Sequence, residues 1–217
     1  MDELNLKDIE SQLRCPSGEK GVEMGEMMHE SNLGMTLAAI KALFLKENDV
    51  VLELGHGNAK HVPALLEEYP YIKYYGLDIS ETMYIEAVKH TKSLGSRVEF
   101  KMYEGDTLPF NDNSFNKIFT VNTIYFWESP VSMLTELFRV LKPDGLLSIV
   151  FAQKKFMEQL PFVQNAFKLY NNKLFEALVS KSAFEILEFQ DLSEGLLTNT
   201  GDEVSRDFAV YVLKKKG

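Results

Sequence analysis

A chain of 217 residues can bury a large core as one domain, or at most as two small ones. With 45% hydrophobic and 25% charged residues its composition is that of an ordinary globular protein. A net charge of −9 and a pI near 5.0 set aside nucleic acid as a partner, because phosphate binding needs a basic surface.

The one clear basic run, Lys214 to Lys216, reads as a solvated tail. The single cysteine, Cys15, rules out an internal disulfide and any cysteine-based metal cluster; it has no histidine pattern nearby to mark it as a nucleophile. The opening MDELNLKDIESQLR is charged and lacks the apolar stretch of a signal peptide. No apolar run approaches the ~18 residues of a membrane span, so the expected address is the cytoplasm.

Residues 1–32 are polar and Met-rich, with helix expected near 18–30. A helix over 34–45 follows, with Leu37, Ile40 and Phe44 on one face. DVVLELG (49–55) reads as a buried strand ending in glycine, then a helix near 61–69, then a second strand KYYGLD (73–78). Ser80 is placed to cap a helix over 81–94. RVEFKM (97–102) and NKIFTVN (116–122) are the third and fourth strands. Ser129 and Pro130 start a helix whose stripe is Leu134, Leu137, Phe138 and Leu141. The turn LKPDG (141–145) leads to a fifth strand, LLSIVFA (146–152). Five apolar strands joined by crossovers imply a parallel sheet covered on both faces. Helices near 157–173 and 173–182 then precede AFEILEF (183–189) and DFAVYVLK (207–214), two strands with only a loop between them. Both alternating sets of DFAVYVLK are apolar, which predicts an internal strand, antiparallel to its neighbours.

Three segments carry chemistry. In VLELGHGNAK (51–60), Gly55 and Gly57 let the backbone turn sharply and approach a ligand, though a plain strand-to-helix turn would use them too. A dinucleotide fingerprint wants glycine where Lys60 stands. Pro63 belongs in a first helical turn, so the helix starts no earlier than about Lys60. Asp78 closes the second strand, placed either to hold two ribose hydroxyls or to face the dipole of the next helix; the upstream glycine loop favours the ribose. In EGDTLPFNDNSFNKIF (104–119), the carboxylate of Asp106 and the backbone N–H of Thr107 could meet a base.

VLELGHGNAK, YYGLDIS, EGDTLPFNDNSFNKIF and LTELFRVLKPDGLLSIV occur in order at the right spacings. Together they resemble the motifs of class I S-adenosylmethionine-dependent methyltransferases, in the group similar to the ubiquinone and menaquinone C-methyltransferases (type 11 domain). The resemblance covers residues 33–152 strongly. It implies an α/β, Rossmann-like three-layer sandwich with strand order 3-2-1-4-5-7-6, the last strand antiparallel. It also implies one domain over 1–217: a helical lid (1–32), a cofactor-binding core (33–152), and helices with a strand pair (153–217). By resemblance Glu53, Gly55 and Gly57 would line the methionine part of S-adenosylmethionine, and Asn122 would help hold its amino-acid end. Asp78 would hold the ribose, Asp106 and Thr107 the adenine, and Asn58 and Ile79 complete the cofactor-binding set. Where the family often has a third glycine, this chain has Ala59.

Methyl transfer from a sulfonium is an in-line displacement that needs alignment and exclusion of water, with no metal and no covalent intermediate. The acceptor implied is a small molecule. Tyr125, Phe126 and Trp127 in TIYFWE (123–128) fall at the family's active-site rim, where aromatic faces could attract the cation or simply pack. His29, His56, His61 and Tyr125 are open candidates for a general base. Two rival readings stand beside this one: a non-catalytic S-adenosylmethionine-binding protein on this fold, which would share the cofactor residues, and a nicotinamide-dependent oxidoreductase, which would share Gly55, Gly57 and Asp78 but is opposed by Lys60 and by the motifs at 104–119. Residues 15–32 are expected to fold over the cofactor mouth.

Overall fold

The structure, a computed structural model, describes residues 3–105, 107–197 and 203–216. In chain order the elements are α1 (Glu3–Arg14), α2 (Gly18–Lys41), β1 (Val50–Leu54), α3 (Val62–Glu68), β2 (Lys73–Asp78), α4 (Glu81–Thr91) and β3 (Val98–Met102). They continue with β4 (Phe115–Val121), α5 (Pro130–Val140), β5 (Leu141–Ala152), α6 (Lys154–Met157), α7 (Asn172–Val179), β6 (Phe184–Leu197) and β7 (Glu203–Lys215).

The strands form one sheet in the order β3-β2-β1-β4-β5-β7-β6, parallel except for β7, which runs antiparallel to β5 and β6. That is the order and the direction the motifs implied. Strand β7 is internal for the reason its sequence gives: Phe208 through Leu213 are all at most 4% exposed, so both faces are covered. Among the described residues no helix is long and apolar enough to cross a membrane.

Four local expectations are corrected. The two helices expected near 18–30 and over 34–45 are one, α2. Gly34 does not break it, and a Cβ there would meet the Glu194 carboxylate. Residues 3–14, part of the polar N-terminal stretch for which no helix is expected, form α1. The helix expected over 157–173 is the single turn α6 followed by irregular chain to Asn171. Pro161 has no N–H to continue such a helix, and Asn171 starts α7 afresh by accepting from Leu174 N. The LKPDG turn survives as a bulge within β5, where Leu141 pairs Phe115 and Leu146 pairs Lys117.

The sheet order reverses at β1: β2 and β3 follow it on one side, and the chain then returns to place β4 on its other side. A crevice opens at such a point, beyond the carboxyl ends of the strands.

Candidate functional site

A cavity of 450 Å³ occupies that crevice, lined by the tips of β1, β2 and β4 and covered by the end of α1 and by α2. Gly55 and Gly57 follow β1 in left-handed conformation (φ 79° and 55°). A Cβ on Gly55 would run into Thr123 Cγ2, while the space beside Gly57 is open. Ala59 also holds a left-handed angle (φ 53°). Glycine would suit this position better, because an L-residue in that conformation costs roughly 1–2 kcal/mol.

Asp78 is 7% exposed, not a solvated strand tip. Its Oδ2 accepts from Gly57 N at 3.0 Å and its Oδ1 from Ser80 N at 2.9 Å, so one carboxylate pins the loops after β1 and β2. Ser80 caps α4 as expected, accepting from Met83 N at 3.1 Å, and donates to Pro16 O at 2.5 Å. That second bond fastens the α1–α2 connection over the cavity.

Glu53 is 3% exposed; its Oε2 accepts from the Tyr74 hydroxyl and lies 2.8 Å from His61 Nε2. Burial, followed by the neighbouring Glu53, holds the Tyr74 phenol well above its usual range. His56 is wholly buried, with Nδ1 2.6 Å from Gly57 O, and burial pushes its imidazole pKa down. It is a neutral strut beneath the loop.

Asn122 follows β4 at φ 57°. Its Oδ1 accepts from Ala152 N (3.2 Å) and its Nδ2 donates to Asn32 Oδ1 (3.1 Å), joining β4, β5 and α2. Of the three rim aromatics, only Phe126 and Trp127 line the cavity. Tyr125 is turned away: it is 2% exposed, with its hydroxyl 2.9 Å from Asn122 Oδ1 and 3.1 Å from Ala152 O. Burial holds that phenol far above its usual pKa, which removes it as a candidate base. The run cannot be read by strand alternation, because residues 124–126 form a 3₁₀ turn. Tyr125→Ala is therefore expected to cost ~3–5 kcal/mol of stability. Phe126 is only half-buried, against Phe167 at 4.8 Å, and its alanine variant should cost about 1 kcal/mol. Urea unfolding of both variants checks this; equal losses would contradict the assignment.

Glu53, Gly55, Gly57, Asn58, Asp78, Ile79 and Asn122 are brought together on the cavity wall. Thr107 is exposed and not on it, and Tyr103, Glu104 and Gly105 form that rim instead. Asp106 lies outside the described residues. The motifs passed over Met28, Asn32 and Thr36, which α2 contributes to the wall alongside His29. No motif marks them, because the helix reaches the site through packing across the chain.

The site fits S-adenosylmethionine on its own features. His56 Nε2, Asn58 Nδ2 and Trp127 Nε1 are buried nitrogens on lining residues with no partner among the described residues, and backbone at Gly57 is open to close approach. Such orphaned groups call for a polar ligand.

A cavity at the sheet's reversal point, with an acidic β2 tip tied to a left-handed glycine loop, defines a nucleoside-binding α/β protein of the seven-stranded kind. Residues 51–145 match the methyltransferase domain family. A malonyl-[acyl-carrier protein] O-methyltransferase of a Marinomonas species is 28% identical over 180 residues, 80% of this chain and 64% of the relative. The ubiquinone/menaquinone biosynthesis C-methyltransferase of Desulfotalea psychrophila is 30% identical over 95 residues, 44% of this chain and 38% of the relative. The chain thus spans less than two thirds of either relative's length. The crystal structure of an S-adenosylmethionine-dependent methyltransferase from Aquifex aeolicus has the same fold, with a TM-score of 0.67 at 22% identity and 98% of each chain covered. The family match and the relatives agree with the resemblance that the motifs carry.

Proposed function

We propose that the chain transfers a methyl group from S-adenosylmethionine to a small-molecule acceptor, in the cytoplasm and as one domain over residues 1–217. The observation that carries this reading is the hydrogen bond from Gly57 N to Asp78 Oδ2, which locks the glycine loop to the acidic strand tip at the cavity floor. Gly55, Gly57, Asn58, Glu53 and Asn122 would hold the methionine end. Asp78 keeps a lone pair on each oxygen and would take the ribose hydroxyls, with Ile79 beside them. Adenine would lie at the rim of Tyr103 to Gly105, towards Asp106 and Thr107.

The cofactor supplies an electrophilic methyl on a sulfonium, and what remains for the protein is alignment and exclusion of water. Phe126 and Trp127 would present ring faces to that cation or to the acceptor. Leu13, Met28 and Met133 give the cavity an apolar wall. Residues 1–32 would act as a lid, an idea supported by the hydrogen bond from Ser80 to Pro16 O and the ion pair between Arg14 and Glu128.

S-Adenosylhomocysteine, the demethylated product, should raise the melting temperature. At a hundredfold excess over Kd the added stability is about 2.7 kcal/mol. A shift with NAD and none with either sulfur ligand would replace this reading with that of an oxidoreductase.

A further inference from the structure

Helix α2 crosses directly over the glycine loop. At one end of the crossing, a Cβ on Gly25 would meet Met83 and lie 3.8 Å from Asn58 Cβ; at the other, Asn32 bonds Asn122. His29 lies about one turn from each and faces the same cavity. Its ring stacks on His61, with centroids 6.4 Å apart and planes at 21°, and His61 in turn is bonded to buried Glu53.

The charges on this wall are unevenly arranged. The acids are Glu53, Asp78, Glu104 and Glu128. Arg14 is already ion-paired to Glu128 at the outer edge. His56 is neutral and His61 is held by Glu53. His29 is the one cationisable wall residue with no hydrogen bond among the described residues.

An amino-acid end is a zwitterion, and it needs an anion for its ammonium and a cation for its carboxylate. Glu53 offers the anion on one side of the loop. We propose that His29 is the counter-charge for the carboxylate at the amino-acid end of the bound cofactor, and that it takes up a proton when that end binds. This rests on the proposed function, and it assigns a role that none of the motifs carries.

The groups around His29 set its free state. Burial holds its pKa below the usual value, and His61 and Lys60 push the same way; Glu26 and Glu30 oppose them. Glu26 is engaged by Lys60, and His90 lies near it as well. The free imidazole is thus mainly neutral at neutral pH. A carboxylate beside it raises the pKa in the complex, so affinity falls as pH rises through that raised value and levels off below the free one.

The test compares S-adenosylhomocysteine with 5′-methylthioadenosine, which lacks the amino-acid end, by calorimetry at about pH 6 and about pH 8. The wild-type Kd for S-adenosylhomocysteine should weaken about tenfold across that range, with net proton uptake in buffers of different ionisation enthalpy. The Kd for 5′-methylthioadenosine should stay flat. His29→Gln should bind S-adenosylhomocysteine about tenfold more weakly at the lower pH, without the slope or the uptake. An equal slope for both ligands in the wild type, or an unchanged slope in His29→Gln, overturns the proposal and leaves the cofactor reading intact. If neither ligand binds at either pH, both fall together.

Discussion

Asp78→Ala should lower the unfolding free energy by about 3 kcal/mol and reduce affinity for S-adenosylhomocysteine below detection. Its carboxylate accepts two backbone N–H groups, from Gly57 and Ser80, at a position 7% exposed. Hydrogen bonds to a charged group contribute roughly 1.5–3 kcal/mol each, and losing the acceptor leaves both donors short of a partner. The loss of affinity follows from the same geometry, because the glycine loop is shaped by the bond that disappears. Asp78→Asn keeps one acceptor and turns an amide N–H₂ towards a donor, so about half the stability loss is expected. Urea unfolding and ligand titration measure the two effects separately. A variant as stable as the wild type would show that the Gly57 and Ser80 amides are satisfied without the carboxylate.

Arg206→Leu is the second substitution with a large expected effect. Its guanidinium is buried (5% exposed residue) and bonds Glu194 Oε1 through Nε (3.0 Å) and Nη2 (2.5 Å), Asn32 Oδ1 through Nη1 (3.0 Å) and Ser31 O through Nη2 (2.5 Å). Removing one partner of a buried ion pair costs roughly 3–5 kcal/mol. The Glu194 side chain is 22% exposed and can rehydrate, which favours the lower end, about 3 kcal/mol. The damage should reach the cavity through Asn32, which bonds Asn122. Arg206→Lys should not restore the wild type, because a single ammonium cannot serve acceptors on β6 and α2 in fork geometry. Calorimetric unfolding with a cofactor titration reads both consequences. Full stability in Arg206→Leu would mean the network is dispensable.

What the sequence revealed and what it concealed divide along one physical line. The internal antiparallel β7, the glycine loop and the acidic β2 tip are local patterns, of apolar alternation or of residue type at a strand end, and the sheet order followed from the family resemblance. They were legible. The burial of Asp78, the inward turn of Tyr125 and the site residues of α2 depend on which distant segments pack together, and no local period records that. Arg206 sits 174 positions from Asn32, and nothing in either neighbourhood announces the bond. Helix boundaries failed where one residue acts through its tertiary surroundings. The sequence divides helix α2 near Gly34, yet the helix runs through that residue, where a Cβ would meet the Glu194 carboxylate.

The most direct test is to incubate the purified protein with methyl-labelled S-adenosylmethionine and a desalted cell extract to which its small-molecule fraction has been returned, then separate the products by size. Label should appear in a low-molecular-mass product, and only when the small-molecule fraction is present. Label confined to protein or nucleic acid, or no transfer at all while S-adenosylhomocysteine still binds, would contradict the account.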